Sequence, residues 1–147
     1  MLGRVEDQGF CSSSWVFTTV GNVEALNKIK TKNFIYLSKQ QLIDCDEMGG
    51  GCDGSLMEYT IQYLIENGCM SEEDYPYVGY EDTCKYDPSK VVVKIKDWLI
   101  LDTQDEIQIK EFLYSNGPLA IAINADPFQY YTGGIIDEDE WSCEQKD

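Results

Sequence analysis

The chain has 147 residues, the size of one ordinary domain, and 43% of them are hydrophobic, enough to bury a core. Its 27 acidic residues against 11 basic ones give a formal charge of -16, with Lys and Arg nowhere gathered on one face, so nucleic acid and anionic membrane surfaces should be repelled. No run approaches the ~18 apolar residues of a membrane span, and the first residues lack the apolar core of a signal peptide.

In chain order, the first feature is a polar stretch, Gln8-Gly9-Phe10-Cys11-Ser12-Ser13-Ser14, that runs straight into Trp15-Val16-Phe17. From Ser12 to Lys30 the apolar residues Val16, Val20, Val23 and Leu26 recur every three or four positions, which predicts a central buried helix. Lys28, Lys30 and Lys32 gather at its far end, where cations complement the helix dipole. Ser14 falls on its first turn, where unpaired N–H groups and roughly +0.5 charge would stabilise an anion. The structural alternative is that the Ser14 hydroxyl caps the helix.

Ser38 with Gln41 three residues on forms a capping box that opens a short helix, Lys39 to Cys45, and Gly49-Gly50-Gly51 then forces a turn. Met57, Ile61 and Leu64 repeat helically between Ser55 and Asn67, with Gly68 as a left-handed stop. After Pro88 the texture changes, and Val91 to Leu101 reads as a strand. Thr103 with Glu106 is a second capping box, for a helix through Phe112 and Leu113 that ends at Gly117-Pro118. Leu119 to Ile123, almost wholly apolar, is expected to be a buried strand, and the charge run Asp137 to Glu140 a solvated loop.

Six cysteines alone allow fifteen full pairings. Zinc is their rival use, but the spacings lack paired Cys-x-x-Cys knuckles and the chain has no histidine, so no metal is expected.

Gln8-Gly9-Phe10-Cys11-Ser12-Ser13-Ser14-Trp15 resembles the signature around the nucleophile of papain-like cysteine peptidases, with Ser14 in the place of the cysteine and Ser12 in that of a glycine. The resemblance continues, in the family's order, through Leu42-Ile43-Asp44-Cys45, Gly51-Cys52-Asp53-Gly54, Tyr75-Pro76-Tyr77, Gly117-Pro118 and Gly133-Gly134-Ile135. Gly21-Asn22-Val23-Glu24 and Ala122-Ile123-Asn124-Ala125 are similar to animal cathepsins of the L and F kind. It implies an α+β, two-lobed fold: a helical left lobe over residues 1–97 and a truncated right β-barrel lobe over residues 98–147. Gln8 would help form the oxyanion hole with the backbone N–H of residue 14. Ser12, Gly54 and Ser55 would flank the substrate's main chain, and Leu56, Met57 and Ala122 would line the pocket for the side chain preceding the scissile residue. Cys11 would pair with Cys52 and Cys45 with Cys84, which points to an oxidising compartment, lysosomal or secreted. Cys143 would pair beyond the chain's end, and Cys69 has no counterpart. A signal and an inhibitory prosegment would precede residue 1. No cofactor is implied. Partners would be a peptide or protein, namely substrate, prosegment or inhibitor, with self-association through the incomplete barrel as a further reading.

A thiolate, an imidazole and an orienting asparagine make such a site work, and the family's histidine and asparagine would fall beyond Asp147. With serine at positions 12, 14 and 55, the expectation is therefore a pseudopeptidase: not an enzyme as given, and a peptide-binding module. The alternative is a truncated or engineered fragment of an active cathepsin-like endopeptidase. Serine catalysis, as in the silica-forming relatives of cathepsins, is a third reading, which needs a histidine.

Overall fold

The computed structural model describes residues 3–134. Its elements are α1 (Ser14–Thr31), α2 (Lys39–Cys45), α3 (Met57–Glu66), β1 (Cys69–Met70), β2 (Val91–Val93) and α4 (Glu106–Asn116), with short 3-10 turns at Gly51–Asp53, Pro88–Lys90 and Asp126–Tyr130. Helices dominate, and the strands form one antiparallel pair with Cys69 opposite Val93 and Met70 opposite Val91.

The core lies where α1, α2 and α3 meet. Val16 and Val20 of α1, Leu42 of α2 and Leu64 of α3 are buried together with Leu37, Ile43 and Cys69. Each such aliphatic side chain contributes about 1.5–3 kcal/mol by leaving water. α1 begins at Ser14, two residues later than the apolar spacing suggests, because Ser12 and Ser13 are held in a turn by Ser12 N to Cys52 O at 3.0 Å and Ser13 N to Cys11 O at 2.7 Å. It stops at Lys32, whose φ of +64° is left-handed, and Lys28 and Lys32 turn their ammonium groups onto carbonyls of the last turn.

The Ser38 hydroxyl accepts from Gln41 N at 2.9 Å, so the expected cap forms. The box is only half closed. Gln41 is fully buried and spends its side chain elsewhere, donating to Tyr63 Oη and Gly68 O and accepting from Met70 N, which locks α2 to α3 and β1. Gly68, at φ +76°, ends α3 as expected, and a Cβ there would lie 2.6 Å from Val91 Cγ1.

Three expectations fail beyond β2. The strand predicted over Val91 to Leu101 is reduced to Val91–Val93, and Leu119 to Ile123 forms no strand, with Ile121 and Ile123 exposed. β-Branched composition makes a strand only where a neighbour completes the ladder, and among the described residues these segments have none. The third concerns α4, whose cap is Asp105, accepting from Ile107 N at 2.9 Å, while Thr103 accepts from Asp105 N instead. The end of α4 rests on α1: Asn22 Nδ2 donates to Pro118 O at 2.7 Å. Ile135, the run Asp137 to Glu140 and Cys143 lie outside the described residues. Among those described, no helix is long and apolar enough to cross a membrane.

Candidate active site

α2 and α4 have side-chain caps, whereas α1 does not. Its N-cap residue is Ser13, fully buried, whose hydroxyl turns away from the helix toward Cys11 O at 3.2 Å and Tyr77 Oη at 3.1 Å. Ser14 is the first helical residue, exposed, and makes no cap, which corrects the expectation that its hydroxyl closes the helix. The first turn also carries no acidic residue. Its orphan N–H groups and positive dipole end are thus left open beside an exposed hydroxyl, the arrangement an anionic intermediate needs.

Gln8 stands half-buried at the end of the preceding loop, and Cys11–Cys52 bolts that loop to the turn that follows α2. The bridge brings Ser12 against Gly54, where a Cβ at position 54 would lie 3.8 Å from Ser12 O. Gly54, at φ +95°, keeps a bare backbone there. Ser55 and Met57 follow half-buried, and Leu56 is 59% exposed, so it belongs to a surface and not to the core. Ala122 is exposed on a separate element, the extended stretch after α4. The second bridge, Cys45–Cys84, joins α2 to the loop before Pro88. Cys69 is a free thiol in the core, and burial pushes it up to about 12.

Behind the Gln8 loop lies a charged cluster. Lys39 is 2% exposed, with its ammonium 2.7 Å from Glu6 Oε2 and 3.5 Å from Glu24 Oε1. Burial alone would lower its pKa, but Glu6 and Glu24 outweigh that and hold it above the ordinary lysine range. Burial also lifts Glu24 and Glu72 above the ordinary glutamate range, against the N–H groups of Leu37 and Tyr77 that bind them. An open pocket of about 310 Å³ lies beside the cluster, lined among others by Glu6, Asp7, Phe17, Lys39 and Tyr77. No group of three or more His, Cys, Asp or Glu side chains among the described residues could hold a metal ion.

Sequence reasoning missed Glu6, Lys39 and Tyr77. Lys39 follows a helix cap like any solvated lysine, and nothing local marks it as buried. For Tyr77 the Tyr75-Pro76-Tyr77 motif carried a signal through the family resemblance alone, and no periodicity shows a hydroxyl reaching residues 64 and 69 positions away.

Against known proteins, the family described as papain family cysteine protease matches residues 1–147. The chain is 42% identical over 135 residues to a viral cathepsin of Heliothis zea nuclear polyhedrosis virus, covering 91% of this chain and 37% of that protein. It is 43% identical over 141 residues to cysteine proteinase 15A of Pisum sativum, covering 89% of this chain and 39% of that protein. Among solved structures, digestive procathepsin L2 proteinase from Tenebrio molitor larval midgut superposes with a TM-score of 0.91 at 34% identity, over 99% of this chain and 47% of that one. The chain therefore spans less than half the length of these relatives. The expectation that it is not an enzyme is overturned here: the relatives are named as proteases, and a histidine missing from a chain of this relative length is no sign of inactivity.

Proposed function

Because this chain belongs to the papain family of cysteine proteases, we propose that it is the nucleophile-bearing part of a cathepsin-like endopeptidase and that the whole protein cleaves peptide bonds. The observation that carries this is the uncapped N-terminus of α1, with exposed Ser14 on its first turn and the Gln8 loop bolted beside it by Cys11–Cys52. In this reading the side chain of residue 14 attacks the substrate carbonyl. The oxyanion is held by the backbone N–H of residue 14 and the Gln8 amide. Ser12, Gly54 and Ser55 border the substrate's main chain, and Leu56, Met57 and Ala122 receive the side chain before the scissile residue. Residues 1–97 form the helical lobe, and residues 98–147 begin the barrel lobe.

A hydroxyl at position 14 is a weaker nucleophile than a thiolate and needs an imidazole to take its proton, which this chain does not contain. That base and its orienting asparagine belong to the part of the family's length that the chain does not span. The partners are then a peptide substrate, a prosegment or an inhibitor. Two disulfides support a lysosomal or secreted location.

The test is turnover of a fluorogenic dipeptide amide with Phe or Leu before the scissile residue, by the whole protein in its Ser14 and Ser14→Cys forms across pH 4 to 8. Inhibitor-sensitive turnover by either form is expected. Folded protein with no turnover in both forms would overturn the reading.

A further inference from the structure

The loop that presents Gln8 is poorly packed. Val5 and Phe10 are fully exposed, and an open pocket of about 310 Å³ lies against residues 4–7. Arg4 N donates to Tyr36 Oη at 3.1 Å at the loop's start and Ser12 N to Cys52 O at 3.0 Å at its end; between them it is held by the Glu6–Lys39 ion pair, the Cys11–Cys52 bridge, and the Tyr77 hydroxyl, which donates to Gln8 O at 2.7 Å. The bond from Gly9 N to Asp7 Oδ1 is internal to the loop and fixes its shape, not its place.

The Tyr77 hydroxyl has one proton, and Gln8 O receives it. The 3.1 Å contact with Ser13 Oγ must then run the other way, with Ser13 donating to Tyr77 Oη, its proton shared with Cys11 O. A chain of bonds results, from Ser13 through Tyr77 to the Gln8 carbonyl, and each bond polarises the next. Its two ends are the N-cap of α1, next to Ser14, and the residue proposed to donate to the oxyanion. Tyr77 is itself rigidly held. Its ring packs edge-on against Phe17 at 5.1 Å, its N–H donates to Glu72 Oε1 at 2.9 Å, and Val78 N donates to Gln40 Oε1 at 2.9 Å.

We infer that Tyr77 is a positioning residue, a two-armed tether that sets the distance between the Gln8 amide and the start of α1; this rests on the peptidase reading above. It also explains why Ser13 leaves the helix uncapped: its hydroxyl is committed to the tether. Loss of the tether frees the Gln8 carbonyl and lets the loop shift, so the oxyanion loses alignment while the substrate-binding edge at Gly54 stays in place.

Tyr77→Phe keeps the ring on Phe17 and removes only the hydroxyl. In the whole protein we expect kcat to fall about tenfold or more with KM within about twofold, since small misplacements at a reacting centre act on the transition state. Independently of turnover, amide hydrogen exchange at residues 8–10 should quicken about tenfold while α2 is unchanged, a split that a general loss of stability would not give. If wild-type protein shows no turnover, the peptidase reading falls, and the exchange comparison still judges the tether. Unchanged exchange at residues 8–10, or a raised KM at constant kcat, would overturn the inference. Should Tyr77→Phe fail to fold, Ser13→Ala removes one arm alone; a smaller change in the same direction is expected, and none would equally overturn it.

Discussion

Leu42 and Leu99 are the same residue with opposite fates: one is fully buried, the other 64% exposed. The same contrast separates residues 14–93 from residues 98–134. In the first region three helices turn their apolar faces on one another, and among the polar groups caught between them Gln41, Glu24 and Ser38 are hydrogen-bonded while Thr60 Oγ1 and Trp15 Nε1 are buried without a partner. In the second, α4 has no buried residue, and Leu99, Ile100, Ile107, Ile121 and Ile123 stand open. The presence of aliphatic residues does not distinguish the two, since both regions carry them. What does is whether another element faces the apolar side, because burial is a property of pairs of elements and not of a sequence stretch.

The strongest way to break this comparison is to attack charge on each side of it. Lys39→Ala leaves Glu6 and Glu24 without their cation and should cost about 3–5 kcal/mol in a urea melt, whereas Lys110→Ala, exposed on α4, should stay within about 0.5 kcal/mol. A near-neutral Lys39→Ala would mean that the cluster is hydrated in solution and that the first region is looser than described.

Next come the cross-links. Opening Cys11–Cys52 or Cys45–Cys84 by paired Cys→Ser changes, across sequence separations of 41 and 39 residues, should each cost about 3–4 kcal/mol in the chain-entropy view. Non-reducing peptide mapping of the unmodified chain should recover both links, and Cys11 joined to any residue but Cys52 would undo the fold assignment.

Truncating the two leucines sharpens the contrast directly. Leu42→Ala should destabilise by about 2–5 kcal/mol, and Leu99→Ala by less than about 0.5 kcal/mol. Equal costs would show that the second region buries its apolar face in solution.

The smallest effect is on pH dependence. Glu24, Glu72 and Asp46 are all raised by burial, so the native state binds protons more readily than the unfolded chain. Stability should therefore rise as pH falls from neutrality through their folded-state values, which lie above the ordinary carboxylate range. Exposed Asp74 and Asp82 and half-buried Asp87 are lowered by their hydrogen-bond partners and act oppositely, losing their contribution only below the ordinary aspartate value. Glu24→Gln, which keeps an acceptor for Leu37 N, should flatten the rise. An unaltered pH profile would remove Glu24 as its source.

Much of the first region was legible because its signals are local. The Ser38 cap, the Gly68 stop and the helical repeat of α3 each depend on residues within one or two turns. The family resemblance supplied the pairs Cys11–Cys52 and Cys45–Cys84, which spacing could not. What stayed hidden depends on partners far along the chain: the ladder that residues 94–101 and 119–123 lack, the burial of Lys39, and the hydroxyl of Tyr77. That Ser14 falls on the first turn of α1 was legible in the sequence, but its hydroxyl was expected to cap the helix; the open start, with Ser13 engaged by Tyr77 instead, depends on a residue 64 positions away. Inactivity, read from absent residues, failed for a different reason: a chain spanning less than half of its relatives' length cannot be judged by what it omits.

Cys69 makes the first region its own recording instrument. Its thiol is sealed between Ser38 O and the core, and at about 12 it holds its proton throughout the physiological range, so an alkylating reagent finds no thiolate to react with. Modification can proceed only in the moments when β1 separates from β2 and α2. The rate at which the peptide containing Cys69 gains mass in iodoacetamide thus reports how readily those openings occur, at a thiol the chain already carries.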